Sequence, residues 1–262
     1  MQVTVNDIDT RYVLDDESGG PWLTFVHQLG GDLSVWDQLA GHFRHQYTVM
    51  RYDLRGHGST ATSPRPFKLA DLADDLNALL DALGANETHL VGVSMGGMVA
   101  QQFALAHPSR LSSLTLADTS SRTPPDARAM WDQRANTVRR EGLAALADAT
   151  LDRWLTADFR RQHPEAVEQI CDVLLRTPPH GYAMACEAIR DFDVHEQLRD
   201  LRIRTLAVAG RHDTGTPPAA TKALADAIKD ARFELLDTAH LAPVEGSRRF
   251  AALLETFLRT PV

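Results

Sequence analysis

The sequence has little of what would tie a chain to a polyanion, a membrane or a metal. Its 262 residues carry 27 Lys and Arg against 35 Asp and Glu, a formal charge of -8, with no block of basic residues. Nucleic acids and anionic membranes are held largely by neutralising phosphate charge, so neither is an expected partner. No apolar run approaches the roughly 18 residues that a membrane helix needs. The N-terminus, MQVTVNDIDTRYVLDDESGG, carries acids where a signal peptide carries basic residues, so a cytoplasmic location is expected. Cysteine is nearly missing: Cys171 and Cys186 lack a CxxC motif or a Cys/His cluster. A disulfide scaffold and a structural zinc therefore find no support, and both residues read as core thiols. His42 and His45 could share a helix face, but no third ligand accompanies them, so no metal and no cofactor is expected.

What is present is ordinary globular material, 44% hydrophobic and 24% charged, in a length that a single α/β unit can use. Short apolar runs bounded by Gly, Asp or Ser read as buried parallel strands: Pro21 to His27, Tyr47 to Asp53, His89 to Ser94 and Leu111 to Asp118. Between them, Leu69, Leu72, Ala73, Leu76, Leu79, Leu80 and Leu83 recur at helical steps, and Gly84 follows as a stop. Gly96 to His107 reads as a second helix, apolar almost throughout and ended by Pro108. From Ser120 to about Arg202 no strand is convincing. Helical stretches such as Asn136 to Leu155 and Pro164 to Leu175 are broken at Pro124-Pro125 and Pro178-Pro179. Strand and helix then alternate again: Arg204 to Gly210, Pro217 to Lys229, Ala231 to Leu236, Ser247 to Leu258. The expected architecture is a mostly parallel sheet flanked by helices, built from residues 1–119 and 203–262. A helical cap, residues 120–202, lies over the carboxyl ends of its strands, where such sheets bind ligands.

Gly92-Val93-Ser94-Met95-Gly96-Gly97 stands between a predicted strand and a predicted helix, which is G-x-S-x-G in its confirming context. A Cβ at Gly92 or Gly96 would collide with backbone in so tight a turn, and the turn lifts the Ser94 hydroxyl clear of the sheet. The bland alternative is a glycine-rich turn with an incidental serine. A serine hydroxyl needs a base, and the base needs an acid to orient it. His240, in a loop after the last predicted strand, is the candidate base; Asp213, at the end of the strand before, is the candidate acid, with Asp118 in reserve. The order Ser, Asp, His suits this elbow. Two backbone N–H groups should hold the oxyanion, each worth roughly 3 kcal/mol of barrier. Met95 supplies one, and Leu29, in the loop His27-Gln28-Leu29-Gly30-Gly31, is best placed for the other. Arg55-Gly56-His57-Gly58 reads as a structural turn.

On these residues the chain resembles the α/β-hydrolase superfamily along essentially its whole length. Within it, the segments Met130 to Arg134, Thr137 to Leu143, Ala149 to Leu155 and Ala185 to Asp191 are similar to those of the 3-oxoadipate enol-lactonases, which open a lactone in the β-ketoadipate route of aromatic degradation. The resemblance implies an α/β-hydrolase fold, Ser94, Asp213 and His240 as a triad, and a small lactone as substrate. Gln28 departs from the glycine that most of the superfamily carries after the oxyanion-loop histidine; lactonases of this kind also tend to lack that glycine. An enol-lactone of this type bears a free carboxylate, and an acidic protein must offer it a local cation. Arg134 and Arg190 are the candidates, with Trp131 as a pocket wall. Rival expectations are a general carboxylesterase or other lactonase with cofactor-free perhydrolase side activity, and a non-catalytic ligand-binding homologue.

Overall fold

The computed structural model describes residues 1–16 and 18–259. Eight strands form one sheet: β1 Gln2–Val5, β2 Ile8–Asp15, β3 Trp22–Val26, β4 Thr48–Tyr52, β5 Thr88–Val93, β6 Leu111–Ala117, β7 Thr205–Gly210 and β8 Arg232–Leu236. Their order is β1-β2-β4-β3-β5-β6-β7-β8, parallel from β4 to β8 and antiparallel at β1 and β2. Strand β4 and most of β3, β5, β6 and β7 are buried on both faces, which is why they read as continuous apolar runs.

The hairpin β1–β2 has no counterpart among the predicted strands. Its two-residue turn is Asn6-Asp7, both at positive φ (48° and 62°), the geometry of a type I′ turn. Both strands are partly exposed, so they lack the apolar run that marks the central ones.

Helices fill the crossovers: α1 Asp37–Phe43, α2 Leu69–Ala82 and α3 Met95–Ala106 precede β6. Lys68 N–H donates to the Asp71 carboxylate at the start of α2, and Gly84, at φ 75°, lies just beyond its end. Helix α3 is buried nearly all round because β3, β5, β6 and α2 surround it.

The insertion between β6 and β7 is helical, with α4 Arg128–Glu141, α5 Ala147–Trp154, α6 Ala157–Gln162, α7 Pro164–Arg176 and α8 Pro179–Arg190. The single stretch expected over Asn136 to Leu155 is two helices, because Gly142 takes φ 75° and a 3-10 turn, Leu143–Leu146, follows it. Pro178-Pro179 is not only a break: Pro179 opens α8, where its missing N–H costs nothing. Helices α9 Pro218–Ala227, α10 Ala242–Glu245 and α11 Ser247–Arg259 complete the core.

The chain passes from β3 to β4 on one side, then returns to place β5 on the other side of β3. Loops leaving β3 and β5 therefore diverge and leave a crevice at their carboxyl ends. The pairing of Val26 with Gly92 sets residues 27–29 beside residues 93–95. The insertion meets the core by bare backbone where α8 crosses the turn after β4: a Cβ at Gly181 would stand 2.4 Å from the Gly56 carbonyl oxygen.

Gly181→Ala should therefore destabilise the fold by about 1–3 kcal/mol, despite alanine's better helix propensity. Gly41→Ala, in a helix where an added Cβ meets nothing within 4 Å, should be stabilising by up to about 1 kcal/mol. Thermal unfolding of both variants measures this; equal shifts would show that the Gly56–Gly181 approach is not a tight contact.

Candidate active site

Ser94 sits between the last residue of β5 and the first of α3, at φ 55° and ψ -119°. Such a conformation costs a non-glycine residue about 1–3 kcal/mol and must be imposed from outside. A Cβ at Gly92 would lie 2.3 Å from the Gly96 carbonyl oxygen, and one at Gly96 would lie 2.2 Å from that of Val26. The end of β6 fastens Ser94 on both sides: its N–H donates to the Ala117 carbonyl at 2.9 Å, and its own carbonyl accepts from Thr119 Oγ1 at 2.7 Å.

The half-buried Ser94 hydroxyl lies 2.8 Å from His240 Nε2, and His240 Nδ1 lies 2.7 Å from Asp213 Oδ2. The other Asp213 oxygen accepts from the Gly215 and Thr216 N–H groups, each at 2.8 Å. A carboxylate so engaged can only accept, so Nδ1 carries the imidazole proton and Nε2 is free to receive the serine proton. Both His240 and Asp213 are buried. Burial pulls the imidazole down, but the charge and hydrogen bond of Asp213, with Asp118 behind it, outweigh this and raise it above the ordinary 6.5.

Asp118 does not touch the His240 ring. Its oxygens accept from Gly210 N–H at 2.8 Å and Ala242 N–H at 2.9 Å, so it ties the ends of β6 and β7 to the segment that follows His240. Burial holds it well above the usual carboxylate range. Glu245 braces the same loop from the other side, accepting from Ala239 N–H at 2.8 Å and bonding the Thr156 hydroxyl of the insertion.

Met95 is the first residue of α3, where N–H groups have no partner within the helix. The peptide that carries Leu29 N–H is aimed by the loop histidine itself, a bracing part that the order of residues did not reveal. His27 Nδ1 donates to the Gln28 carbonyl at 2.7 Å, while Nε2 accepts from Leu54 N–H at 2.9 Å. In a trans peptide the carbonyl and the following N–H point in opposite directions, so turning the Gln28 carbonyl toward His27 and Gly31 N–H turns the Leu29 N–H the other way. Burial lowers the basicity of His27, in keeping with a neutral ring that both donates and accepts. His57, buried 5.3 Å from the His27 ring, is held at about 3 by burial and its neighbour. Its turn is structural: Gly56 and Gly58 are both at positive φ, and a Cβ at Gly58 would strike the Asp53 carboxylate.

Of the expected cap residues, Trp131 is half-buried against the core. Arg134 donates to the Tyr182 hydroxyl at 2.7 Å and to Thr150 Oγ1 at 2.8 Å. Arg190 stands apart from this cluster, its guanidinium held by Asp132 at 2.6 Å and Asp191 at 2.7 Å. Cys186 is a buried free thiol, whereas Cys171 is only half-buried on α7. Among the described residues, no group of three or more His, Cys, Asp or Glu could hold a metal ion, and no helix is long and apolar enough to cross a membrane.

A parallel sheet whose strand ends bring a carboxylate, an imidazole and a strained serine into line is the arrangement of an α/β hydrolase. The chain belongs to that family: the model of the alpha/beta hydrolase fold matches residues 21–247. A curated relative, 3-oxoadipate enol-lactonase 2 of Acinetobacter baylyi, is 34% identical over 98% of this chain and 96% of its own. The crystal structure of the enol-lactonase from Burkholderia xenovorans superposes with a TM-score of 0.96 at 33% identity, over 99% of this chain and 100% of that one. An esterase from Thermogutta terrifontis gives 0.92 at 30% identity, over 99% and 97%.

The state of His240 sets a pH dependence. An imidazolium cannot take the serine proton, so hydrolysis should rise with pH through a midpoint above 6.5. Asp213→Asn removes the charge that raises the ring and the acceptor that fixes its tautomer. It should move the midpoint down and lower kcat by about three to four orders of magnitude. The pH profile of kcat/KM on p-nitrophenyl acetate tests both; a wild-type midpoint below 6.5 would contradict this electrostatic account.

Proposed function

We propose that the protein opens a small lactone through an acyl-enzyme, and that the enol-lactone of 3-oxoadipate is the substrate it fits best. The observation that carries this reading is the full-length likeness to enol-lactonases, which includes the helical insertion. A triad is common to many activities, whereas the helices above it decide what reaches the serine.

In the proposed reaction Ser94 Oγ attacks the lactone carbonyl carbon while His240 Nε2 takes its proton. The carbonyl oxygen becomes an oxyanion held by the Met95 and Leu29 N–H groups. As the tetrahedral intermediate collapses, the ring C–O bond breaks and His240 protonates the departing enol oxygen. The enol then ketonises, which makes ring opening effectively irreversible. Water, deprotonated by His240, attacks the acyl carbon, and Ser94 leaves with the proton restored. Arg134 meets the carboxylate arm of the substrate, and Trp131 forms a wall of the pocket. Arg190, already bound by two carboxylates, is assigned to bracing α4 against α8.

A panel of lactones and neutral p-nitrophenyl esters, assayed on wild type and Ser94→Ala, tests the reading. The wild type should favour the enol-lactone, and Ser94→Ala should lose hydrolysis by about six orders of magnitude, to near background. Preference for butyrate or acetate esters would point instead to a general carboxylesterase. An active Ser94→Ala enzyme would overturn the nucleophile, and ligand binding without turnover in wild type would make the protein a receptor.

A further inference from the structure

Four arginines of the helical insertion are half-buried: Arg134, Arg153, Arg160 and Arg190. Arg160 is paired with Asp152, and Arg190 with Asp132 and Asp191. Arg134 and Arg153 have no carboxylate within ion-pair distance among the described residues, in a chain of net charge -8. Instead both guanidiniums donate to one buried hydroxyl, Thr150 Oγ1, at 2.8 and 3.4 Å. The two bonds laid end to end put the donating nitrogens within about 6 Å of each other, a separation at which like charges repel and one carboxylate can bridge both.

The rest of the cluster supplies no counter-charge. Arg134 lies over the Tyr182 ring at 5.5 Å and donates to its hydroxyl, while burial pushes that phenol up to about 12 and so keeps it uncharged near neutral pH. Burial and the neighbouring Arg134 both push Arg153 down, the expected sign for a cation awaiting an anion. A half-buried guanidinium without a partner is costly, and an acidic protein has carboxylates enough to neutralise it. The arrangement makes sense as a site completed by a ligand.

The cluster also adjoins the reacting groups. Trp154, next to Arg153, accepts at its carbonyl from Leu241 N–H at 3.1 Å, and Leu241 follows His240. The end of α5 is thus bonded to the His240 loop, and the Arg153 charge is felt at the imidazole.

We propose that Arg153 and Arg134, joined through Thr150, form a two-guanidinium carboxylate site beside His240, and that this site makes the enzyme select lactones or esters bearing an anionic arm. This rests on the lactone-opening reading and adds Arg153 to it as a specificity-determining residue. Lysine at that position keeps the charge but loses the planar fork.

Two measurements on the full chain test it. The first is the ratio of kcat/KM for the enol-lactone of 3-oxoadipate to that for α-angelica lactone, the same ring with a methyl group in place of the carboxymethyl arm. Arg153→Met should cut this ratio by about 10- to 100-fold, and Arg153→Lys should recover part of the loss. The second is calorimetric binding of adipate, a dicarboxylate of matching length. It should bind wild type and weaken at least about tenfold in Arg153→Met. A ratio unchanged in Arg153→Met, or adipate binding that is absent or equal in both proteins, would overturn the site. Adipate bound as expected by a wild type inert toward both lactones would retain the site and overturn the lactonase reading instead.

Discussion

The whole arrangement depends on how closely the backbone can approach itself between β5 and α3. With carbonyl oxygens 2.2–2.3 Å from where the Cβ atoms of Gly92 and Gly96 would stand, only hydrogen fits. That contact lets a strand become a helix with a single residue, Ser94, between them, at a backbone angle that serine does not choose for itself. From this one turn follow the hydroxyl lifted clear of the sheet, the free N–H of Met95 and the packing of the α3 N-terminus against the end of β3. The strain is sustained because the end of β6 and the segment after it, through Ala117 and Thr119, grip the same residue from the other side.

Around the turn, three side chains, two buried and one half-buried, hold loops rather than substrate. His27 sets the peptide of Leu29, Asp118 ties two strand ends to the segment after His240, and Glu245 binds that loop to Thr156 of the insertion. Each satisfies backbone donors or acceptors that would otherwise be buried without partners. The loops carrying the proposed oxyanion donors and the imidazole are thereby held in place, which is what electrostatic stabilisation of a transient charge requires.

Strands β3 to β7 were legible because, largely buried on both faces, they read as apolar runs; the mostly exposed β8 was legible from its place in the resumed strand–helix alternation, and α2 because its leucines recur at the helical period. The hairpin β1–β2 was not, since its strands are half-exposed and its turn lacks glycine. In the insertion the helical character was legible but the boundaries were not: Gly142 divides what looks periodic, and Pro179 starts a helix where proline suggested an end. At the site, Ser94, His240 and Asp213 could be nominated because the elbow motif fixes one position and strand ends suggest the others. The braces His27 and Asp118 could not be assigned their parts, because a hydrogen bond to another loop's backbone leaves no mark in the order of residues.

By itself the sequence determined the fold family, the elbow and the chemical types brought to it, since periodicity and a tight turn are local properties of a chain. Only the tertiary structure decided which acid meets the imidazole and which arginines stay unpaired. Asp213 and Asp118 both end strands, yet one oxygen of Asp213 reaches His240 while both oxygens of Asp118 are taken by backbone amides. Arg190 and Arg153 both lie in insertion helices, yet Arg190 has acids at 58 residues' remove and next door, while Arg153 has a hydroxyl shared with another arginine. Charge partnership depends on distances of a few ångströms between residues far apart in the chain, and folding alone sets those distances.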